Sequence, residues 1–580
     1  MNHRRPLHLF VVALALCSSI TAAEPGIVQL GKAAPDEFFV KIGGPYYPLG
    51  QQPSGAEGQP KVNQAYVWGM TKAGDSIWFG TAANPVSLVI GGLLGISIPR
   101  QNEYMVSEFW RSQYPGISPL LKPFLGDWRP PRIYRYQPNG GVQDVTPTDP
   151  LLSNTIGLRS AGASDEIVLL AGPALTQLGI NVFAFDAQTG AYIGSKAILE
   201  FSDIRKWVEV GGVLYTGTLD TWTQTGGGSV LRWKGNRENP FQYEVVGKID
   251  NEAATLCAHE GRLYAFTWAT VSPFWTKLVN AKSLHLPAVW MSPPIPEDGL
   301  TAANRFQWKN VWTIDKYDPD PVLAPTLWMG AAESFDGHLV WGTIQIPGTG
   351  GFALLEEYGS PETLALFVES YRNSFRTAPL FRGKLTEAQT LQVDVLYGDA
   401  TLPKYTPAGP GQGAWSFVPN KTGTPLFGPA GFGQPANAYI WSMAVHDDKL
   451  YVGTFDRSFI RYGNAFATGQ PVPNDLGADL VQFTSVSTAG QAITRTGAGN
   501  VINNGIRTLI SHPEGLFAGT ATSANLLTDP NDNIPEGGWE FLKIDPAAIV
   551  LSPLRSAAAR AAMTEAETWQ HWLQHGTMPP

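Results

Sequence analysis

The chain has 580 residues, among them 62 glycines, 46 prolines and 19 tryptophans, and only 15% are charged. The formal net charge of −9 argues against a nucleic-acid surface, which needs a basic excess to displace counterions from phosphates. So much glycine, proline and aromatic with so little charge points instead to many short strands joined by turns, an all-β fold.

The first residues, MNHRRPLHLFVVALALCSSITAAEPG, set Arg4 and Arg5 before an apolar run from Leu7 to Leu16, and Thr21-Ala22-Ala23 supplies a small-residue cleavage site. That layout predicts a secretory signal peptide over residues 1–23 and a mature protein that is periplasmic or extracellular. Leu16 before Cys17 is too bulky for a lipid-attachment box, so Cys257 alone would remain after cleavage. No intramolecular disulfide is then possible, and stability has to come from a large core. VSLVIGGLLGISI, from Val86, is too short and too glycine-broken to span a bilayer, so no membrane span is expected.

From AYVWGMTKAGDSIWFGT, ending at Thr81, one unit recurs. Copies end at Thr218 (DIRKWVEVGGVLYTGT), Thr267 (EAATLCAHEGRLYAFT), Thr343 (WMGAAESFDGHLVWGT), Thr454 (NAYIWSMAVHDDKLYVGT) and Thr520 (NNGIRTLISHPEGLFAGT), and a weaker one, GLRSAGASDEIVLLAG, ends at Gly172. Each reads as a strand, a tight turn and a second strand of the form Leu-Tyr-x-Gly-Thr. A recurring hairpin at unequal spacing predicts a seven-bladed β-propeller over residues 24–550, with inserted loops at about 84–127, 268–308 and 347–383. The last insertion contains a helix pattern with Ser360 as N-cap and Pro361 as first residue. Gly538 to Asp545 can give the seventh blade its third strand, and the mature N-terminus its fourth. After it, Ser552 and Pro553 read as the start of a C-terminal helix within residues 551–580.

The repeat resembles the strands of kelch-like and quinoprotein-like propellers, and NVFAFDAQTGAYIG, Asn181 to Gly194, resembles a quinoprotein outer hairpin. What the resemblance implies is architecture. Kelch double glycines, WD40 Trp-Asp endings, sialidase-type Asp boxes and a quinone-site signature are not evident, so no family's active site comes with it.

Twelve residues before each Gly-Thr glycine stand Trp68, Arg205, Ala254, Gly330, Trp441 and Arg507, with Arg159 in the weaker copy. Two residues further upstream stand Tyr66, Asp203, Glu252, Trp328, Tyr439 and Gly505, on the same strand face by the period of two. The residues between them, Val67, Ile204, Ala253, Met329, Ile440 and Ile506, are uniformly apolar, as packing between blades requires. The other face would look into the mouth of the central channel. There Arg159, Arg205 and Arg507 suit a carboxylate, sulfate or phosphate, while Trp68, Trp441, Tyr66 and Tyr439 offer flat faces for a sugar. Three readings stay open: binding of an anionic or carbohydrate-like ligand; an acidic-polysaccharide lyase or hydrolase with Tyr66 or Tyr439 as base or acid; and a scaffold for a protein partner. Asp203 and Glu252 could equally pair with the arginines in a purely structural network.

Other constellations carry weaker signals. His259, His446 and His512 share one repeat position, at a turn where an imidazole can bond the backbone as readily as a metal. Asp529, Asn531, Asn533 and Glu536 in DPNDNIPE offer oxygens for Ca2+ but lack the glycine of a calcium loop, and DKYDPDP, from Asp315, is a second acidic turn. GDWRPPRIYRY, from Gly126, reads as a strand entering the first blade. Asn420-Lys421-Thr422 is a glycosylation sequon.

Overall fold

The computed structural model describes residues 24–41, 43–55, 58–85, 113–117, 125–177, 179–220, 227–269, 285–458, 476–522, 524–528 and 537–554. The expected signal peptide, the apolar stretch from Val86, the calcium candidates Asp529, Asn531, Asn533 and Glu536, and residues 555–580 of the expected C-terminal helix lie outside them.

The described residues are mostly strand, as the composition predicts. Each repeat unit forms the two inner strands of a four-stranded antiparallel sheet. In the first sheet, Gln64–Ala73 pairs with Ser76–Ala83, then Ile133–Gln137 and Gly141–Asp144 follow. The innermost strands of the later sheets are Ser160–Ala163, Phe201–Val210, Glu252–His259, Trp328–Phe335, Asn437–His446 and Gly505–His512. These innermost strands lie side by side in chain order, and the last packs against the first, a propeller-like arrangement. Single bridges knit some neighbouring sheets together, Ile344 to Tyr439, Phe455 to Gly505 and Ala521 to Tyr66. The last sheet draws on both ends of the chain: Glu540–Ile544 is its third strand and Ile27–Lys32 pairs with that as the fourth.

The Gly-Thr signature has two separate physical causes. A Cβ added at Gly217, Gly342, Gly453 or Gly519 would come within 3 Å of Ala253, Ile440, Ile506 or Val67 on the next sheet, so the glycine lets neighbouring sheets approach. The threonine is buried and its hydroxyl accepts the backbone N–H that opens the third strand, from Arg132 to Thr81 (2.8 Å), Ala288 to Thr267 (2.8 Å), Asp479 to Thr454 (2.8 Å) and Glu540 to Thr520 (2.9 Å). Val67, Ile204, Ala253, Met329, Ile440 and Ile506 are all fully buried between sheets.

Some expectations change. Residues 268–308 are not all insertion, because Ala288–Met291 is the third strand of the fourth sheet, too short to stand out between prolines. The third insertion holds two helices, α1 (Thr349–Tyr358) and α2 (Leu364–Asn373). The cap of α2 is Thr363 and not Ser360, its side chain accepting the Leu366 N–H at 3.2 Å. Ser552 and Pro553 do not open a helix: they form a two-residue strand against Gln491 and Ala492, where the open edge of the sixth sheet offers unpaired backbone groups. A hairpin, Thr401–Gly409 with Gln412–Pro419, stands outside the four-stranded sheets. Asn181 to Gly194 forms the expected outer hairpin of the second sheet.

Candidate functional site

Six of the innermost strands slip register at one shared place, between Val67 and Gly69, Ile204 and Trp207, Ala253 and Thr255, Met329 and Ala332, Ile440 and Ser442, and Ile506 and Thr508. The residues caught in these bulges include Trp68, Arg205, Ala254, Gly330, Trp441 and Arg507. A bulge frees one residue from the ladder and re-aims its side chain. All six, with Arg159 immediately before the remaining innermost strand, line one central cavity of about 130 Å3.

Trp268, at the edge of the expected insertion 268–308, is part of this site. Its indole N–H donates to the Met329 carbonyl at 2.7 Å, fixing the ring. The Arg205 guanidinium carbon lies 3.4 Å from the centre of that ring, and Arg159 sits between Trp268 (5.6 Å) and Trp68 (5.0 Å). Arg507 is 5.2 Å from the Trp441 ring. The signal was present: Trp268 follows the unit-ending threonine directly, where the other units with that threonine carry Ala82, Leu219, Ile344, Phe455 and Ala521.

Two of the arginines have carboxylate partners. Arg159 meets Asp203 at 2.5 Å, and Arg205 meets Glu252 at 2.6 Å and Asp203 at 3.5 Å. Lys206 at the cavity wall faces Glu333 at 3.6 Å. Arg507 forms no ion pair among the described residues, and its enclosed Nε has no hydrogen-bond partner there. Burial together with the charges of Arg159 and Arg205 pushes Arg507 down to about 9, and burial with Arg205 pushes Arg159 down to about 10, so both stay charged at neutral pH. Burial raises the Glu252 carboxyl despite Arg205 beside it. The cluster holds three guanidinium groups against two carboxylates, one positive charge in excess.

Tyr66 and Tyr439 do not line the cavity. The bulges break the period of two that placed them on the same face as Trp68 and Trp441. They pack edge-on against Trp441 at 5.6 and 5.4 Å, and Tyr439 stacks on Phe455 at 4.4 Å. Burial lifts both phenols well above their ordinary value, which removes the basis for expecting either as a base.

The remaining candidates serve the fold. His259 bonds Ser334 (2.8 Å), His446 bonds Ser511 (3.0 Å) and His512 accepts the Glu514 N–H (3.2 Å). In DKYDPDP, Asp318 pairs with Arg376 at 2.6 Å and Asp320 accepts the N–H groups of Val322, Leu323 and Tyr405, each at 2.9 Å, so neither is free to hold Ca2+. Among the described residues no group of three or more histidine, cysteine or acidic side chains could hold a metal. Arg129 is buried against Glu37 and Asp127 between the rings of Tyr46 and Tyr114, each 5.3 Å away. Ile133–Gln137 in the same stretch is the third strand of the first sheet, and no helix is long and apolar enough to cross a membrane among the described residues.

No protein-family model and no curated protein matches the chain. Solved structures align loosely. Oligogalacturonate lyase in complex with manganese aligns at a TM-score of 0.35 and 9% identity, over 91% of this chain and all of that one. The β-propeller domain of the Trilobed protease from Pyrococcus furiosus gives 0.34 and 8%, over 80% and 93%. Kuenenia stuttgartiensis hydrazine synthase gives 0.20 and 12%, over 26% of this chain and about half (49%) of that chain. Scores this low transfer neither residue nor activity.

Proposed function

We propose that the chain is a closed seven-bladed β-propeller that binds a small anion, or the anionic end of a larger ligand, in its central cavity. The observation that carries this is the surplus guanidinium. Arg507 is held in the cavity wall with no carboxylate opposite it among the described residues, while Arg159 and Arg205 are already paired. A part-buried cation with no ion-pair partner is disfavoured, and an arriving anion would offset that with charge-assisted hydrogen bonds. Closure of the ring is supported by the packing of the last innermost strand on the first and by the shared final sheet. The expected leader at residues 1–23 puts the mature protein outside the cytoplasm.

The size and lining favour a small ion over a stretch of polysaccharide. A cavity of about 130 Å3 is well below the roughly 300–1,000 Å3 of drug-sized sites. Trp68, Trp268 and Trp441, the faces a sugar would need, are engaged by guanidinium groups. With Tyr66 and Tyr439 withdrawn from the cavity, a lyase has lost its proposed acid and base. Calorimetric titration of the mature protein with phosphate, sulfate, acetate and nitrate tests the reading. Saturable binding of at least one of them, weakened about tenfold or more in Arg507→Met, is expected for a lost charge-assisted bond. Absence of binding by all four, or equal binding by the variant, refutes it.

A further inference from the structure

A second concavity, of about 630 Å3, opens between the fifth and sixth sheets. Pro435 on its wall precedes the innermost strand Asn437–His446, and Arg457 follows the second strand Lys449–Asp456, so the groove lies at the end of the sheets where the innermost strands begin. Its other walls come from elements that the sheets themselves do not need: the C-terminal end of α2 and the hairpin Thr401–Pro419.

One side chain pins these walls. Arg376 is almost fully buried; its Nε meets Asp318 at 2.6 Å, Nη1 donates to the Asn373 carbonyl at the end of α2 (2.8 Å), and Nη2 donates to the Pro403 carbonyl in the hairpin (2.7 Å). Thr377 adds a bond to the Pro435 carbonyl at 3.2 Å. These bonds tie α2, the hairpin and the chain before the sixth sheet to one another.

The lining combines two chemistries. Phe375 and Phe417 line it with Leu402 and several prolines, and Phe417 is 66% exposed although it is a large apolar side chain. Arg372 and Arg457 are the cations beside Arg376, and Arg457 lies 3.3 Å from the centre of the Phe375 ring. Arg376 is already matched by Asp318, and Asp399 lines the same groove.

We propose that this groove is a small-molecule site for a flat apolar compound carrying one acidic group, such as an aromatic carboxylate or sulfonate. The ring would lie against the exposed face of Phe417, beside the Phe375–Arg457 stack, and the acid would reach Arg372, an exposed cation at the rim. The volume falls in the range of ordinary ligand sites, and aromatic walls with a few placed polar groups are their usual make-up. The site is independent of the anion reading for the central cavity, from which it differs in residues and in ligand.

Fluorescence titration with 1-anilinonaphthalene-8-sulfonate, an aromatic acid, tests this on the folded mature protein, with 1-anilinonaphthalene as the neutral counterpart. Saturable binding at one site per chain is expected. Phe417→Ser should weaken it about tenfold and Arg372→Gln about fivefold, both at exposed positions where folding is checked by circular dichroism. Arg507→Met should leave it unchanged, so failure here and failure of the central-cavity reading are separable. Unsaturable binding, equal binding in Phe417→Ser, or a neutral counterpart that binds as tightly as the sulfonate overturns the proposal.

Discussion

Replacing Arg507 by methionine should have the opposite effect on folding stability from replacing Arg205, though both are arginines at the same repeat position. Burial and like charge push Arg507 from 12.5 to about 9. At about 1.4 kcal/mol per tenfold change in proton affinity, that caps the native-state penalty near ~5 kcal/mol. The side chain is only part-buried, and solvent screening leaves about 2–3 kcal/mol of this. Removing the residue also forfeits its contact with Trp441, worth about 1 kcal/mol. Arg507→Met is therefore expected to be neutral or to stabilise the ligand-free protein by about 1–2 kcal/mol. Arg205→Met leaves Glu252 buried without its partner and should cost about 3–5 kcal/mol. Urea midpoints at pH 7.5 and fixed salt read both. A loss above about 2 kcal/mol for Arg507→Met would show that this arginine is a structural partner, and the argument from surplus charge would fall.

The same charge sets a pH dependence. In the free protein Arg507 loses its proton near 9, whereas a bound anion would hold that proton, so affinity for sulfate or nitrate, whose own charge is constant there, should be flat from about pH 6 to 8 and fall as pH rises through about 9. Calorimetry in buffers of different ionisation enthalpy would then record proton uptake on binding only at the alkaline end. Gly519→Ala forces a methyl group onto Val67 of the first sheet and should cost about 1–3 kcal/mol by urea unfolding, whereas Gly74→Ala, in an open turn at φ 57°, lacks that clash and should cost about 1 kcal/mol. Asn420 is 6% exposed, and its side chain bonds the Asp399 and Gly423 carbonyls and the N–H groups of Thr422 and Gly423. Asn420→Ala should therefore cost about 2–3 kcal/mol, measured in the same way, which marks this sequon as a structural turn.

What could be read from the sequence was whatever repeats. The Gly-Thr strands, the buried set from Val67 to Ile506, and the pairing of the N-terminal strand with Glu540–Ile544 all follow from constraints that each sheet imposes afresh. The convergence of Arg159, Arg205, Arg507, Trp68 and Trp441 on one cavity was legible for the same reason, since counting from a fixed glycine finds equivalent places. Alternation within a strand was not a safe guide. It holds only while the ladder is regular, and the bulges at Trp68 and Trp441 fall where it was used to place Tyr66 and Tyr439. Trp268 was missed because it comes from a second strand, outside the counting frame, and Ser360 and Ser552 were misread because capping residues also suit turns and strand edges.

The bulges explain why one repeat position can hold an indole in one copy and a guanidinium in another. A residue inside a regular ladder is fixed by its cross-strand and inter-sheet neighbours, as Ile440 and Ile506 are. A residue in a bulge is released from that pairing, and its identity is set by what it meets around the cavity. Trp441 and Arg507 fill equivalent bulges and lie against each other, ring to guanidinium, so each is the other's wall. Were packing the sole requirement, a neutral side chain at 507 would satisfy Trp441 without bringing a third like charge beside Arg159 and Arg205. On the proposed reading, the charge that burial and like neighbours disfavour in the empty protein is the one an anion in the cavity would match.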